Sequence, residues 1–182
     1  MGDPDIFRHL HTHSAYSFLD GATLPAGLVA RAAALGQAEL ALTDWCAVYG
    51  APEFATSCDE HGIRPILGAE FDVTGFGHLT LLVKDRAGWR SLCRLITAAR
   101  RAWGKGHAPV TWEELARHAE GLVCLTGCRH GALAGPLVRG DEAAARDNAR
   151  RLRDLFRDDL WVEIVRNRVA DEGPLGRELA RL

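Results

Sequence analysis

The stretch His9-Leu10-His11-Thr12-His13-Ser14-Ala15-Tyr16-Ser17-Phe18-Leu19-Asp20-Gly21 decides the reading of this chain. Three histidines fall at every second position, just before a small-residue turn that carries Asp20. Residues two apart on a β-strand share a face, so an extended segment would project His9, His11 and His13 together. With Phe7 and Leu10 as apolar neighbours, a short buried strand is expected here. Two imidazoles at a strand's end, followed by a carboxylate in the next loop, suit a divalent metal of the Zn or Mn type. Ligands must converge on a point, so His11 and His13 are the expected ligands. His9, deepest in the strand, is expected to be structural.

Downstream, Thr23 reads as a helix cap and Pro25 as a first-turn residue. Leu28, Val29, Ala32 and Leu35 then recur at helical spacing until Gly36. Strands are expected over 39–43, 63–73, 77–83, 121–126 and 160–165, and helices over 52–61, 85–103, 141–156 and 173–182. Thr111 and Glu114 have the spacing of a capping box. Strands alternating with helices argue for parallel βαβ units and one α/β domain over 1–182. Asp20, Asp44, Glu70 and Cys128 fall at or beyond the expected strand C-termini, where α/β folds place their chemistry.

The chain of 182 residues is 47% hydrophobic with a formal charge of −2, which excludes a broadly basic surface as its main device. If a phosphodiester is the substrate, localised metal charge must do the work of a lysine patch. Cysteines 46, 58, 93, 124 and 128 include no CxxC and are odd in number, pointing to a reducing compartment. The acidic start, Met1-Gly2-Asp3-Pro4-Asp5, carries no apolar signal segment, and no run is long enough to span a bilayer, so a cytoplasmic, non-membrane location is expected.

His11-Thr12-His13-Ser14 with Ser17-Phe18-Leu19-Asp20-Gly21-Ala22 resembles the first motif of PHP (polymerase and histidinol phosphatase) domains, and more closely that of bacterial DNA polymerase III alpha subunits. Ala41-Leu42-Thr43-Asp44, Pro65-Ile66-Leu67-Gly68-Ala69-Glu70, His78-Leu79-Thr80-Leu81-Leu82 and Gly121-Leu122-Val123-Cys124-Leu125-Thr126-Gly127-Cys128 follow in that family's order. Trp161-Val162-Glu163-Ile164-Val165-Arg166-Asn167 is more similar to the error-prone branch. The resemblance implies a distorted (βα)7 barrel holding up to three divalent metals, Zn or Mn, at its C-terminal rim. It implies His11, His13, Asp20, Glu70, His78 and Cys128 as ligands. It implies DNA, as a 3′ end or single strand, together with further polymerase modules and replisome subunits, as partners. Two departures stand out. Trp45 occupies the place where the family's active members carry histidine after Thr-Asp, and the family's last Asp and His motif has no counterpart before Leu182. An N-terminal fragment lacking the last barrel strand is therefore expected.

Other residues have more than one reading. Asp44 either orients a histidine or caps a helix. Cys124 is expected to pack as a small hydrophobe while Cys128 ligates, and Cys46 is a weaker substitute ligand. Glu70 could bridge two metals through its two oxygens. Gly104-Lys105-Gly106-His107, below Arg100 and Arg101, lacks P-loop spacing and reads as a solvated basic loop. Arg129 and His130 could reach a phosphate. The arginines from 146 to 157 alternate with acids, as on a solvated face. Two functions compete: metal-dependent 3′–5′ phosphodiester hydrolysis in DNA replication or repair synthesis, and a non-catalytic module that stabilises a polymerase or docks a proofreading subunit. A free-standing small-molecule phosphatase would need a phosphate-anchoring arginine that the motifs do not supply.

Overall fold

The computed structural model describes residues 7–104, 106, 108–167 and 172–182. Met1-Gly2-Asp3-Pro4-Asp5, Lys105 and His107 lie outside them. The fold is mixed α/β, with five strands and seven helices among the described residues. The chain forms two compact units, Met1–Glu70 and Phe71–Leu182.

In the first unit, α1 (Pro25–Ala34) starts with Pro25 in its first turn, but Leu24 holds the N-cap position and Thr23 caps nothing. β1 (Glu39–Leu42) pairs in parallel with β2 (Arg64–Val73), Glu39 opposite Arg64 and Leu42 opposite Leu67. Between them, α2 (Ala51–His61) ends at Gly62. This is the expected βαβ unit. Val29, Ala32, Leu40, Leu42, Phe54, Cys58 and Ile63 form its core, and burial pushes the Cys58 thiol up to about 11.

The expected histidine strand does not form. The backbone over residues 9–12 follows β1, with Ala41 N–H donating to the His9 carbonyl (2.9 Å) and Thr43 N–H to the Thr12 carbonyl (2.9 Å). Two steps along β1 thus face three steps along this segment, a bulge-like extra residue that bends the chain and breaks the two-residue alternation. His9 and Leu10 are consequently exposed.

The second unit contains β3 (Gly77–Val83), α3 (Arg86–Trp103), α4 (Trp112–Arg117), β4 (Leu122–Leu125), α5 (Ala134–Val138), α6 (Glu142–Phe156), β5 (Leu160–Trp161) and α7 (Glu172–Leu179). Asp85 caps α3 by accepting from Gly88 N–H, Asp141 caps α6 through Ala144 N–H, and Thr111 with Glu114 forms the capping box. The expectation of parallel pairing throughout fails in this unit. β3 and β4 run antiparallel, Thr80 opposite Leu125 and Val83 opposite Leu122. A parallel crossover uses one helix to bring the chain back to its starting end; here α3 and α4 both intervene, and β4 enters from the opposite end. β4 and β5 are parallel. β5 is shorter than the six residues expected because β4 ends at Leu125: beyond Trp161, the Glu163 N–H is taken by the Thr126 hydroxyl (3.0 Å) instead of a ladder carbonyl. The short α5 carried no periodic signal, its sequence being Ala-Gly-Pro-Leu-Val.

α3 packs on β3 and β4, and its first turn meets the chain entering β4 backbone to backbone. A Cβ on Gly88 would stand 1.9 Å from the Gly121 carbonyl oxygen, and Gly121 itself has φ +72°. Gly88→Ala is therefore expected to lower unfolding stability by about 1–3 kcal/mol or more, the usual cost of overpacking. Urea denaturation measures this; an unchanged midpoint would mean that the contact opens without cost.

Candidate metal centre

The bend at residues 9–12 sets the geometry of the first unit's site. His11 Nε2 lies 3.6 Å, and His13 Nε2 3.0 Å, from Oε2 of Glu70, with the two imidazole centroids 5.4 Å apart. The three donor atoms lie within 4.8 Å of one another. Glu70 is 3% exposed. It sits inside β2, not at the strand's end as expected, because β2 continues to Val73. Its backbone is pinned by the segment after β1: Glu70 N–H donates to the Asp44 carbonyl (3.2 Å), and the Glu70 carbonyl accepts from Cys46 N–H (2.7 Å).

Asp44, left with two readings by the sequence, has a third role here. Buried to 1% exposure, it accepts from Ser14 N–H (2.7 Å), the Ser14 hydroxyl (2.8 Å) and the Ser17 hydroxyl (2.7 Å). The Ser17 oxygen in turn accepts from Trp45 N–H (3.0 Å). Asp44 thus braces the loop that follows His13 and bonds neither a histidine ring nor a helix end. The Ser14 to Ser17 turn, with its own Ser17 N–H to Ser14 carbonyl bond (2.9 Å), is the part of the site that sequence reasoning missed. Two small hydroxyls three apart, directly after a ligand pair, were its only signal.

His13 Nε2 is buried and has no hydrogen-bond partner, although the Glu70 oxygen is 3.0 Å away. A ring nitrogen and a carboxylate oxygen that face each other at that distance without hydrogen-bond geometry can turn their lone pairs to one cation. Donors about 2.1 Å from a tetrahedral ion stand roughly 3.4 Å from one another, and the observed 3.0 and 3.6 Å bracket that value. The donor set of two imidazoles and one carboxylate fits Zn or Mn chemistry.

The other expected ligands fall as follows. Asp20 is exposed in the turn and belongs to no converging donor group among the described residues. His9 is exposed and packs edge-on against Phe7, with centroids 4.9 Å apart. The Cys46 side chain is buried in the core, and Cys46 has a left-handed φ of 42°. In the second unit, His78 Nδ1 and Cys128 Sγ lie 3.6 Å apart. The loop after β4 holds His78 closely: His78 N–H donates to the His130 carbonyl (3.0 Å), and Ala132 N–H to the His78 carbonyl (3.2 Å). Gly127, at φ +82°, allows this approach, since a Cβ there would meet the His78 carbonyl oxygen at 2.3 Å. Cys124 is fully buried and burial holds its thiol well above the ordinary cysteine range, as its packing role requires. Arg129 and His130 are exposed and border, with Cys128 and Glu163, a cleft of about 270 Å³. No described helix is long and apolar enough to cross a membrane.

The mixed α/β fold and this His-His-Glu convergence define an α/β domain with a candidate metal-ligating centre. Residues 9–167 match the PHP domain, and the chain belongs to that family. It is 39% identical over 97% of its length to an error-prone DNA polymerase of Symbiobacterium thermophilum, covering 18% of that protein. It is 38% identical over 96% of its length to a DNA polymerase III subunit alpha of Treponema pallidum, covering 16% of it. The chain thus spans less than a fifth of these curated relatives. Among solved structures, a lesion-specific endonuclease from Pyrococcus furiosus superposes with a TM-score of 0.45 at 19% identity, over 65% of this chain and 33% of that one.

Proposed function

We propose that this chain is the PHP domain of a DNA polymerase III alpha-type protein and that it hydrolyses a terminal phosphodiester of DNA at its metal site. The observation that carries the reading is the buried, unpartnered His13 Nε2 facing the Glu70 carboxylate. The similarity to polymerases over nearly the whole chain supports the choice of DNA as substrate.

In the first unit His11, His13 and Glu70 would hold an ion, and in the second unit His78 and Cys128 pair an imidazole with a thiol. Asp20 joins them by motif. When bound, such metals lower the pKa of a water and stabilise charge on phosphoryl oxygens. The chain's own contribution is positional. The imidazoles offer ring-nitrogen lone pairs, the buried Glu70 carboxylate offers negative charge, and the Asp44–Ser14–Ser17 bonds hold the loop after His13 against β1 so that the donors need no rearrangement.

A 5′-labelled single-stranded oligonucleotide, incubated with the chain and Mn or Zn, tests this. The expected result is stepwise loss of 3′ nucleotides that chelator and His13→Ala both abolish. Metal bound at full occupancy without hydrolysis would leave the second reading, a structural module of the polymerase. Trp45 favours that reading, because it places an indole where the family's active members offer an imidazole.

A further inference from the structure

The acids of α6 conceal an ordered feature. Arg146, Arg150 and Arg153 step by four and three residues along α6, the spacing that keeps side chains on one helical face, and Arg157 follows at the helix's C-terminal cap with φ +52°. In the structure all four, with Ala149, Leu160 and Leu182, line one open groove of about 460 Å³. No acidic residue among the described residues lines it. Arg146 pairs with Glu142 (2.7 Å) and Arg153 with Asp154 (3.6 Å), both at exposed positions where such pairs are weak and exchangeable. Arg150 and Arg157 are exposed and have no ion-pair partner among the described residues.

We propose that this groove is a binding track for a nucleic-acid phosphate backbone. A guanidinium presents a planar fork of donors that matches a phosphate in two-point contact. A four-residue step along a helix rises about 6 Å, and Arg146 to Arg153 span about 10 Å, with Arg157 beyond them at the helix end. Phosphates along one strand repeat at about 3.4 Å of axis when stacked and further apart when the strand is stretched, so the stripe meets several phosphates of one strand in succession. Leu160 and Leu182 give the groove an apolar wall for sugars and bases. An acidic protein surface would satisfy the charge but would not need a linear run of forks beside an apolar wall. The track shares no residue with the donor set of the metal site and does not depend on the hydrolytic reading.

Fluorescence anisotropy with a labelled single-stranded oligonucleotide, run in chelator and on the His11→Ala/His13→Ala background, tests the track alone. Four phosphate contacts predict a slope of log affinity against log salt of about −2.8, at roughly −0.7 per contact. Arg150→Glu/Arg157→Glu should weaken binding at least about tenfold and flatten the slope by about 1.4. Arg146→Gln/Arg150→Gln, a milder change, should flatten it similarly. Arg31→Glu/Arg90→Glu changes net charge equally on α1 and α3, whose exposed arginines lie outside the groove, and should leave affinity within about twofold. Circular dichroism confirms that each variant folds. Binding that the two control substitutions weaken as much as the groove variants, equal affinity for polyglutamate, or no binding at about 50 mM salt would each overturn the proposal.

Discussion

Chain purified without chelator is expected to carry stoichiometric Zn, Mn or Fe by elemental analysis, and His11→Ala/His13→Ala to carry almost none. The double variant removes both nitrogen donors that converge on the Glu70 oxygen, leaving one carboxylate where three donors stood. Losing even an outer partner of a metal ligand costs about 10–100-fold in metal affinity, so losing two direct ligands should exceed about 100-fold. His9→Ala is the matched comparison: its ring is exposed and lies outside the converging set, so metal content should not change. The same contrast should appear in thermal unfolding. A ligand at 100 times its dissociation constant adds about 2.7 kcal/mol to stability, and added metal should raise the melting temperature of the parent chain and of His9→Ala only. Substoichiometric metal, equal in all three proteins, would sink the metal-centre reading.

Asp44→Ala is expected to be the most destabilising single substitution of a polar residue near the site. It leaves Ser14 N–H and the Ser14 and Ser17 hydroxyls, all in a buried setting, without their acceptor. Each unsatisfied buried group costs about 1–3 kcal/mol, so a loss of roughly 3–5 kcal/mol is expected, comparable to breaking a buried charged network. Against a total stability of about 5–15 kcal/mol this brings the chain close to unfolding. Asp44→Asn keeps one carbonyl acceptor, and serine hydroxyls can turn to accept from its amide, so its loss should be clearly smaller. Chemical denaturation of the two variants measures the difference. A fall of less than about 1 kcal/mol for alanine would show that water replaces the carboxylate without cost.

Local chemistry was the readable part of this chain. The Thr111–Glu114 pair forms its capping box where its spacing placed it, because a cap is satisfied within three or four residues, and Asp85 and Asp141, read only as helix starts, turn out to be the caps. The pairing of His11 and His13 with Glu70 followed from motif order. What escaped the sequence depended on partners far away along the chain. The histidine segment loses its alternation because β1 dictates its hydrogen-bond spacing. β5 stops at Trp161 because β4 ends and Thr126 captures the next amide. The antiparallel run of β4 depends on two helices between strands, which periodicity does not count. Asp44's role needed Ser14 and Ser17, some thirty residues earlier, to be brought under its carboxylate. The arginine stripe was hidden for the opposite reason: reading charges one after another averages away what a helix sorts by face.

The extra residue between His9 and Thr12 also sets the chain's tolerance to length change. Deleting Leu10 would remove the extra residue while Ala41 and Thr43 still bracket the segment, so His11 would be carried by a straightened strand instead of the bend. Such a variant would keep every histidine and every carboxylate, yet His11 would leave the place that the bend gives it beside Glu70, and metal affinity should fall. Inventories of donor residues in related or engineered chains therefore overstate function unless they also count the residues in between.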